Sequence, residues 1–124
     1  MKKETAYFAH SKKKYNTTEE AEELAFINKH FGGKVICPNN DLGELGDIEN
    51  YLKIIKSTDC VYTTEFQGMI GRGVYDECSY TLENNIALLV VRRDIKGKFF
   101  VQIVRDVIET NRFNFTRFGL LITK

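Results

Sequence analysis

The chain has 124 residues, of which 43% are hydrophobic and 28% are charged, and its formal net charge is +1. These values fit one folded domain over residues 1–124 and exclude a disordered chain or a general nucleic-acid or membrane binder. Three widely spaced cysteines without a CxxC pattern argue against a disulfide framework and a zinc site. We therefore expect a cytoplasmic protein with no metal and no cofactor.

An apolar strand and an amphipathic helix open the chain. Thr5–Ala9 is a short run of strand-forming residues. After a polar loop, Thr17 and Glu20 have the spacing of a capping box, which predicts the start of a helix. Apolar residues then recur at helical spacing until Gly32 and Gly33, which predict its end.

Two further strands flank a second helix. Lys34–Cys37 predicts a second strand, and Pro38 ends it. Residues 39–46 are rich in turn formers, and Asp47 is the expected cap of the second helix. Cys60–Thr63 predicts the third strand.

The rest of the chain predicts a third helix and more strands. A glycine-bearing loop over residues 65–73 precedes a predicted helix over Val74–Asn84. Ile86–Arg92 is a nearly continuous apolar run, typical of a central parallel strand buried on both faces. Phe99–Val104 fits either a strand or the start of a helix, and Gly119–Ile122 predicts a terminal strand.

Alternation of strands and helices predicts an α/β fold. Such units form parallel sheets with right-handed crossovers and helices on both faces. We expect a three-layer, doubly wound, mainly parallel sheet of five strands in the order 2-1-3-4-5, which is a flavodoxin-like plan. Sheets of this kind bind ligands beyond the carboxyl ends of their strands.

Polar residues follow the carboxyl ends of the first two predicted strands. His10 ends the first strand, where a ligand site would begin, although a lone histidine is often a satisfied structural residue. Asn39 and Asn40 follow the second strand and are candidates for binding a base or a ribose, and Asp41 beside them is expected on the same ligand-facing edge. Each of these three is also an ordinary turn former, and that interpretation stays open.

The segment from Thr64 to Glu77 is the strongest functional feature of the sequence. Gly71 and Gly73 allow close backbone approach, and the helix that follows offers free N–H groups to an anion or a sugar hydroxyl. Asp76 and Glu77 are expected in the first helical turn, where the helix dipole stabilises negative charge. The other candidates for ligand binding in this segment are Glu65, Arg72, which can pair with a phosphate, and Tyr75, which can stack.

Residues 77–91 (ECSYTLENNIALLVV) and the Gly71-x-Gly73 loop before them resemble the nucleoside 2-deoxyribosyltransferase family. In that family a glycine-rich loop after the third strand leads to a catalytic glutamate, and a buried strand follows the helix. The resemblance covers most of residues 5–92. It implies that Glu77 attacks or stabilises the anomeric carbon of a nucleoside while the base departs.

Cleavage of an N-glycosidic bond passes through an oxocarbenium-like state, which a nearby carboxylate stabilises or attacks. A second acid or polar donor should assist the departing base. The candidates for this role are Asp41, Glu44, Glu65 and Asp76. Asp41 is the one that we assign to the catalytic site.

Tyr7-Phe8-Ala9-His10-Ser11 is also similar to the opening strand and loop of Toll/interleukin-1-receptor-type domains. Members of that group that cleave NAD place a glutamate at the start of a helix near the third strand. The resemblance implies the same sheet plan and related N-glycosidic chemistry.

The sequence therefore predicts an enzyme acting on a small nucleoside or nucleotide, without membrane or nucleic-acid partners. The spacing from Gly73 to Glu77 is longer than is usual in the transferase family, and this favours two alternatives. One is a non-catalytic module that binds or senses a nucleotide. The other is an interaction domain that forms homo-oligomers on the same scaffold.

Overall fold

The computed structural model describes residues 4–43, 45–66, 70–109 and 116–120, with side chains described as far as residue 105. Its described strands form one sheet in the order β2-β1-β3-β4-β5-β6. In chain order they are β1 (Thr5–Ala9), β2 (Lys34–Ile36), β3 (Cys60–Thr63), β4 (Ala87–Arg93), β5 (Phe99–Glu109) and β6 (Thr116–Leu120).

The first four strands are parallel, and the last two are not. β1 pairs with β2 and β3, and β3 pairs with β4, all in parallel. The predicted order 2-1-3-4-5 and the α/β class are confirmed. β5 instead runs antiparallel to β4, with Leu89 opposite Ile103, and β6 runs antiparallel to β5.

The C-terminal third differs in detail from the expectation. The segment from Phe99 is a strand and continues to Glu109, so the ambiguity between strand and helix is resolved in favour of strand. Because this segment and the terminal segment are both strands, the described sheet has six strands rather than the five expected. The predicted terminal strand over Gly119–Ile122 begins earlier, at Thr116, and its residues 121 and 122 lie outside the described residues.

Four described α-helices and a single-turn 3-10 helix (Lys12–Lys14) accompany the sheet. The α-helices are α1 (Thr18–Phe31), α2 (Pro38–Asp41), α3 (Ile48–Lys56) and α4 (Arg72–Glu83). The side chain of Thr17 caps α1 by accepting the Glu20 N–H at 3.1 Å, as its spacing predicts. No helix in the described ranges is long and apolar enough to cross a membrane.

Two helix starts differ from the sequence prediction. The short α2 occupies part of the segment expected to be a loop, because Pro38 at its first turn has a backbone angle that suits a helix. α4 begins at Arg72 rather than Val74, with Gly71 in extended conformation as its N-cap. Asp76 and Glu77 consequently lie beyond the first turn.

Alternate residues of β1 supply the cores on the two faces of the sheet. Tyr7 and Ala9 belong to one apolar cluster, which includes residues of α3 and α4. Ala6 and Phe8 belong to the other, which includes Ile27 of α1. This alternation follows from strand geometry and produces the expected three layers. It also places the side chains of Tyr7 and His10 on opposite faces of the sheet.

Candidate functional site

A cleft of about 730 Å³ opens beside the carboxyl ends of the first three strands. Its walls come from three parts of the chain, within residues 10–15, 38–51 and 71–77. A volume of this size is typical of small-ligand sites, which hold from roughly 300 to 1,000 Å³. Of the predicted site residues, it brings together His10, Asn39, Gly71, Gly73 and Glu77.

Glu77 lies in the wall of the cleft and is almost fully buried. It projects from the second turn of α4, and only 8% of its surface is exposed. Its Oε2 accepts a hydrogen bond from the Tyr7 hydroxyl at 2.7 Å. Burial raises the pKa of Glu77 to about 7, because the hydrogen bond from Tyr7 offsets only part of the desolvation cost.

Tyr7 supplies the polar partner of Glu77 from the central strand. Its side chain is fully buried. Burial and the adjacent Glu77 raise the pKa of Tyr7 well above its ordinary value. The phenol therefore stays protonated and always donates to the carboxylate. The sequence signal for this role is that a buried tyrosine hydroxyl needs a partner.

The N-terminus of α4 forms a second polar wall. Gly71 is the N-cap of this helix and makes no side-chain capping hydrogen bond. The first N–H groups of any α-helix point out of its N-terminus. A Cβ built on Gly71 or Gly73 would meet no atom within 4 Å, so the absence of side chains keeps this wall open. Backbone donors at such a position suit an anion or a sugar hydroxyl.

Two tyrosines and a lysine complete the cleft, and sequence reasoning did not select them. Tyr15 and Tyr51 contribute aromatic rings, and the exposed Lys12, at the start of the single-turn 3-10 helix (Lys12–Lys14), contributes positive charge. Burial raises the pKa of Tyr15 to about 12, with a further contribution from Glu77. Aromatic rings beside a cation suit a flat, polar ligand such as a nucleobase carrying a sugar or phosphate.

His10 also lines the cleft and belongs to a buried polar cluster on the α1 face. Its Nε2 lies 2.6 Å from Glu20 Oε2, and its Nδ1 lies 3.1 Å from the carbonyl oxygen of Phe8. Burial lowers the pKa of His10, whereas the bond to Glu20 raises it by less. Cys37 completes the cluster, with its Sγ 3.9 Å from Glu20 Oε2.

Glu20 has several hydrogen-bond donors around it. Burial raises its pKa, but the contact with His10 and the hydrogen bond from the Asn16 N–H together lower it below the ordinary value. The Asn16 N–H lies 2.9 Å from Glu20 Oε1. Spacing in the sequence indicated no metal set, yet the fold brings ligand atoms of His10, Glu20 and Cys37 within 4.8 Å of one another.

Asp41, assigned to the catalytic site from the sequence, lies outside the cleft lining. Its Oδ2 accepts the N–H of Cys37 at 2.7 Å and closes the first turn of α2. This local hydrogen bond fits the alternative interpretation, in which Asp41 is a turn residue. Asn40 lies in a separate groove beside α1 and also does not line the cleft.

Three more predicted ligand-binding residues also lie elsewhere. Glu65 makes a bidentate ion pair with Arg92, with N–O distances of 2.8 and 2.9 Å, and lines a groove on the α1 face. The Arg72 guanidinium lies 5.1 Å from the centre of the Tyr75 ring, and neither residue is part of the cleft lining. Asp76 is likewise outside the lining, and Glu44 lies outside the described residues.

In comparisons with known proteins, neither a family model nor a curated protein matches this chain.

Proposed function

We propose that this protein binds a nucleoside or nucleotide in the cleft and cleaves or transfers its N-glycosidic bond, with Glu77 as nucleophile or charge stabiliser. The observation that carries the proposal is the position of Glu77, a buried carboxylate in the wall of a ligand-sized cleft. A buried carboxyl group with a strongly raised pKa is typical of catalytic positions.

The protonation state of Glu77 suits the chemistry. With a pKa of about 7, a large fraction of Glu77 is ionised at neutral pH. The carboxylate is poorly solvated in this environment, so a developing positive charge at an anomeric carbon would interact with it strongly. Tyr7 fixes one oxygen by its hydrogen bond and leaves the other available to face the sugar.

The remaining walls support a nucleoside or nucleotide as the ligand. Tyr15 and Tyr51 offer aromatic surface to a base, and the start of α4 offers N–H donors to sugar hydroxyls or phosphate. Lys12 supplies a complementary charge for a phosphate. Three buried cysteines that form no disulfide among the described residues support a reducing, cytoplasmic setting, which forms part of the proposal.

A binding module without catalysis is the second candidate. Among the described residues that line the cleft, Glu77 is the one carboxylate. Asp41 lies outside the lining, where its carboxylate accepts the Cys37 N–H. Cleavage by a pair of carboxylates would need a second acid to protonate the departing base. A site with a single carboxylate can bind a nucleotide without turning it over.

The two candidates differ in one assay. Purified protein is incubated with a panel of nucleosides, nucleotides and NAD, and release of the base is followed by chromatography. We expect turnover by the wild type and a loss of several orders of magnitude in Glu77→Gln, with ligand affinity changed little. Glu83→Gln, which removes an exposed carboxylate from the same helix, is the matched control and should retain full activity.

The other outcomes are equally informative. Tight binding without turnover by the wild type would support the binding module and refute the enzyme. Turnover that survives Glu77→Gln would refute the assignment of Glu77. A wild-type rate that rises with an apparent pKa near 7 would further support ionised Glu77 as the active form.

A further inference from the structure

The contact between His10 Nε2 and Glu20 Oε2 requires a positive charge between the two atoms. The carbonyl oxygen of Phe8 can only accept a hydrogen bond, so His10 Nδ1 at 3.1 Å carries a proton. In a neutral imidazole the lone pair then lies on Nε2, which faces a Glu20 carboxylate oxygen at 2.6 Å. Two lone pairs at this distance need a cation between them.

A proton can fill that position, but a third ligand atom lies beside it. Cys37 Sγ lies 3.9 Å from Glu20 Oε2, and the ligand atoms of all three residues lie within 4.8 Å of one another. All three side chains are buried. They come from three different elements: the end of β1, the first turn of α1 and the residue after β2.

We propose that His10, Glu20 and Cys37 form a binding site for Zn²⁺. Imidazole nitrogen, thiolate sulfur and carboxylate oxygen are all ordinary zinc ligands, and a thiolate favours zinc over magnesium or calcium. Zinc bonds of about 2.0 to 2.3 Å space tetrahedral ligand atoms by roughly 3 to 4 Å. Binding therefore requires the Nε2–Oε2 separation of 2.6 Å to widen by roughly 0.7 Å.

The contacts around these ligands resemble the outer shell of a metal site. The Phe8 carbonyl fixes the tautomer of His10 that presents Nε2, and the Phe8 ring stacks on the imidazole at 3.8 Å. The Asn16 N–H holds the other oxygen of Glu20. Asn39 Oδ1 lies 3.3 Å from Cys37 Sγ, so the Asn39 amide or a water molecule from the cleft can supply a fourth ligand.

A bound divalent cation would displace the proton of the buried Cys37 thiol and stabilise the thiolate. The proposal does not depend on the reaction assigned to Glu77, which lies on the opposite face of the sheet.

The test uses the full chain after treatment with a chelator. Titration with Zn²⁺ alone should give one ion per chain, release protons and raise the melting temperature. Titration with Co²⁺ alone should give the visible absorption of a tetrahedral site and a near-ultraviolet band from sulfur-to-cobalt charge transfer. Cys37→Ser should abolish that band and weaken Zn²⁺ binding by at least about 100-fold.

Matched variants separate this site from other cysteines and from the proposed enzyme. Cys60→Ser removes another buried cysteine and should bind Zn²⁺ as the wild type does. Glu77→Gln should also bind it unchanged, whatever its effect on base release. Glu20→Gln should weaken binding, because it replaces a charged ligand with a neutral one.

The wild type alone can also decide the question if Cys37→Ser fails to fold. Zn²⁺ should protect Cys37 selectively from alkylation, as mapped by mass spectrometry, and leave the labelling of Cys60 unchanged. Folded wild type that binds no Zn²⁺, or Co²⁺ binding without a thiolate band, would overturn the proposal. Cys37→Ser that is folded and binds Zn²⁺ with undiminished affinity would do the same.

Discussion

Two buried glutamates on opposite faces of the sheet have opposite electrostatic character. Glu77, on the α4 face, accepts a hydrogen bond from the Tyr7 hydroxyl, and its pKa is raised to about 7. Glu20, on the α1 face, contacts His10 and accepts the Asn16 N–H, and its pKa is lowered. Both residues are more than nine-tenths buried as measured by surface exposure.

The difference shows that burial alone does not determine the charge of a carboxyl group. Removal from water favours the neutral form at both positions, and hydrogen bonds to the ionised form oppose it. Glu77 lies deeper in the protein, and its one hydroxyl donor is too few to reverse the larger effect of burial. At Glu20, where desolvation is smaller, the contacts with His10 and the Asn16 N–H are enough. A glutamate side chain therefore has a raised pKa in the cleft wall, as Glu77, and a lowered pKa beside His10, as Glu20.

Replacing Glu20 should have the largest effect on stability. Glu20→Ala removes the acceptor for His10 and for the Asn16 N–H, and should lower the free energy of unfolding at pH 7 by about 3 to 5 kcal/mol. Glu22→Ala, which breaks an exposed pair with Arg93 in the same region, should change it by less than about 1 kcal/mol. Urea denaturation of metal-free protein measures both, and equal losses would contradict the comparison.

Glu77→Gln should act in the opposite direction. The folded-state pKa of Glu77 is raised from 4.5 to about 7, so wild-type stability falls as pH rises between these values. The neutral glutamine avoids this loss and should stabilise the protein by on the order of 3 kcal/mol at pH 8, and by less than about 1 kcal/mol at pH 5. Unfolding midpoints at the two pH values test this, and a destabilised variant at pH 8 would refute the raised pKa.

Tyr7→Phe should separate the hydrogen bond from burial. It leaves Glu77 without the Tyr7 donor and should cost about 2 kcal/mol at pH 8, where the carboxylate is ionised, and about 1 kcal/mol at pH 5. The pKa of Glu77, followed by NMR titration, should rise further. At pH 8, Tyr7→Phe should cost less free energy of unfolding in the Glu77→Gln background than in the wild type. Equal costs would mean that the charge of Glu77 adds nothing to the hydrogen bond.

Thr17→Ala should have the smallest effect and should not depend on pH. It removes the cap of α1, the helix that carries Glu20, and should cost about 1 kcal/mol at both pH 5 and pH 8. Hydrogen exchange should accelerate in the first turn of α1 and stay unchanged in α4. A pH-dependent loss would mean that the cap supports the ionisation of Glu20 rather than the helix alone.

The sheet could be predicted from the sequence where burial imposes a clear pattern. Short apolar runs separated by helical periodicity identified the first four strands and their order, because a parallel sheet requires crossovers between them. Phe99–Val104 was ambiguous because a short apolar run fits either a strand or a buried helix. Its pairing with β4 depends on the turn at Asp94, whose Oδ1 accepts the Lys96 and Lys98 N–H groups.

The site could be predicted only where position alone places a residue. His10, Asn39 and Glu77 lie in the cleft because they follow strands at one edge of the sheet. Asp41 and Glu65 follow the same edge, but local and long-range partners turn their side chains elsewhere. Glu65 pairs with Arg92, which is 27 residues away in sequence, and sequence pattern gives no measure of such a contact.

The same distances in sequence bear on how the molecule folds. Arg92 and its partner across the β4–β5 hairpin, Gln102, are only 10 residues apart, whereas Tyr7 and Glu77 are separated by 70. Closing the longer loop costs more chain entropy, so contacts between residues far apart in sequence form late unless other contacts have already shortened the loop. We expect the hairpin to be among the earliest structure and the wall of the cleft among the last. A ligand that binds this cleft would therefore slow unfolding by stabilising the contacts completed at the end of folding.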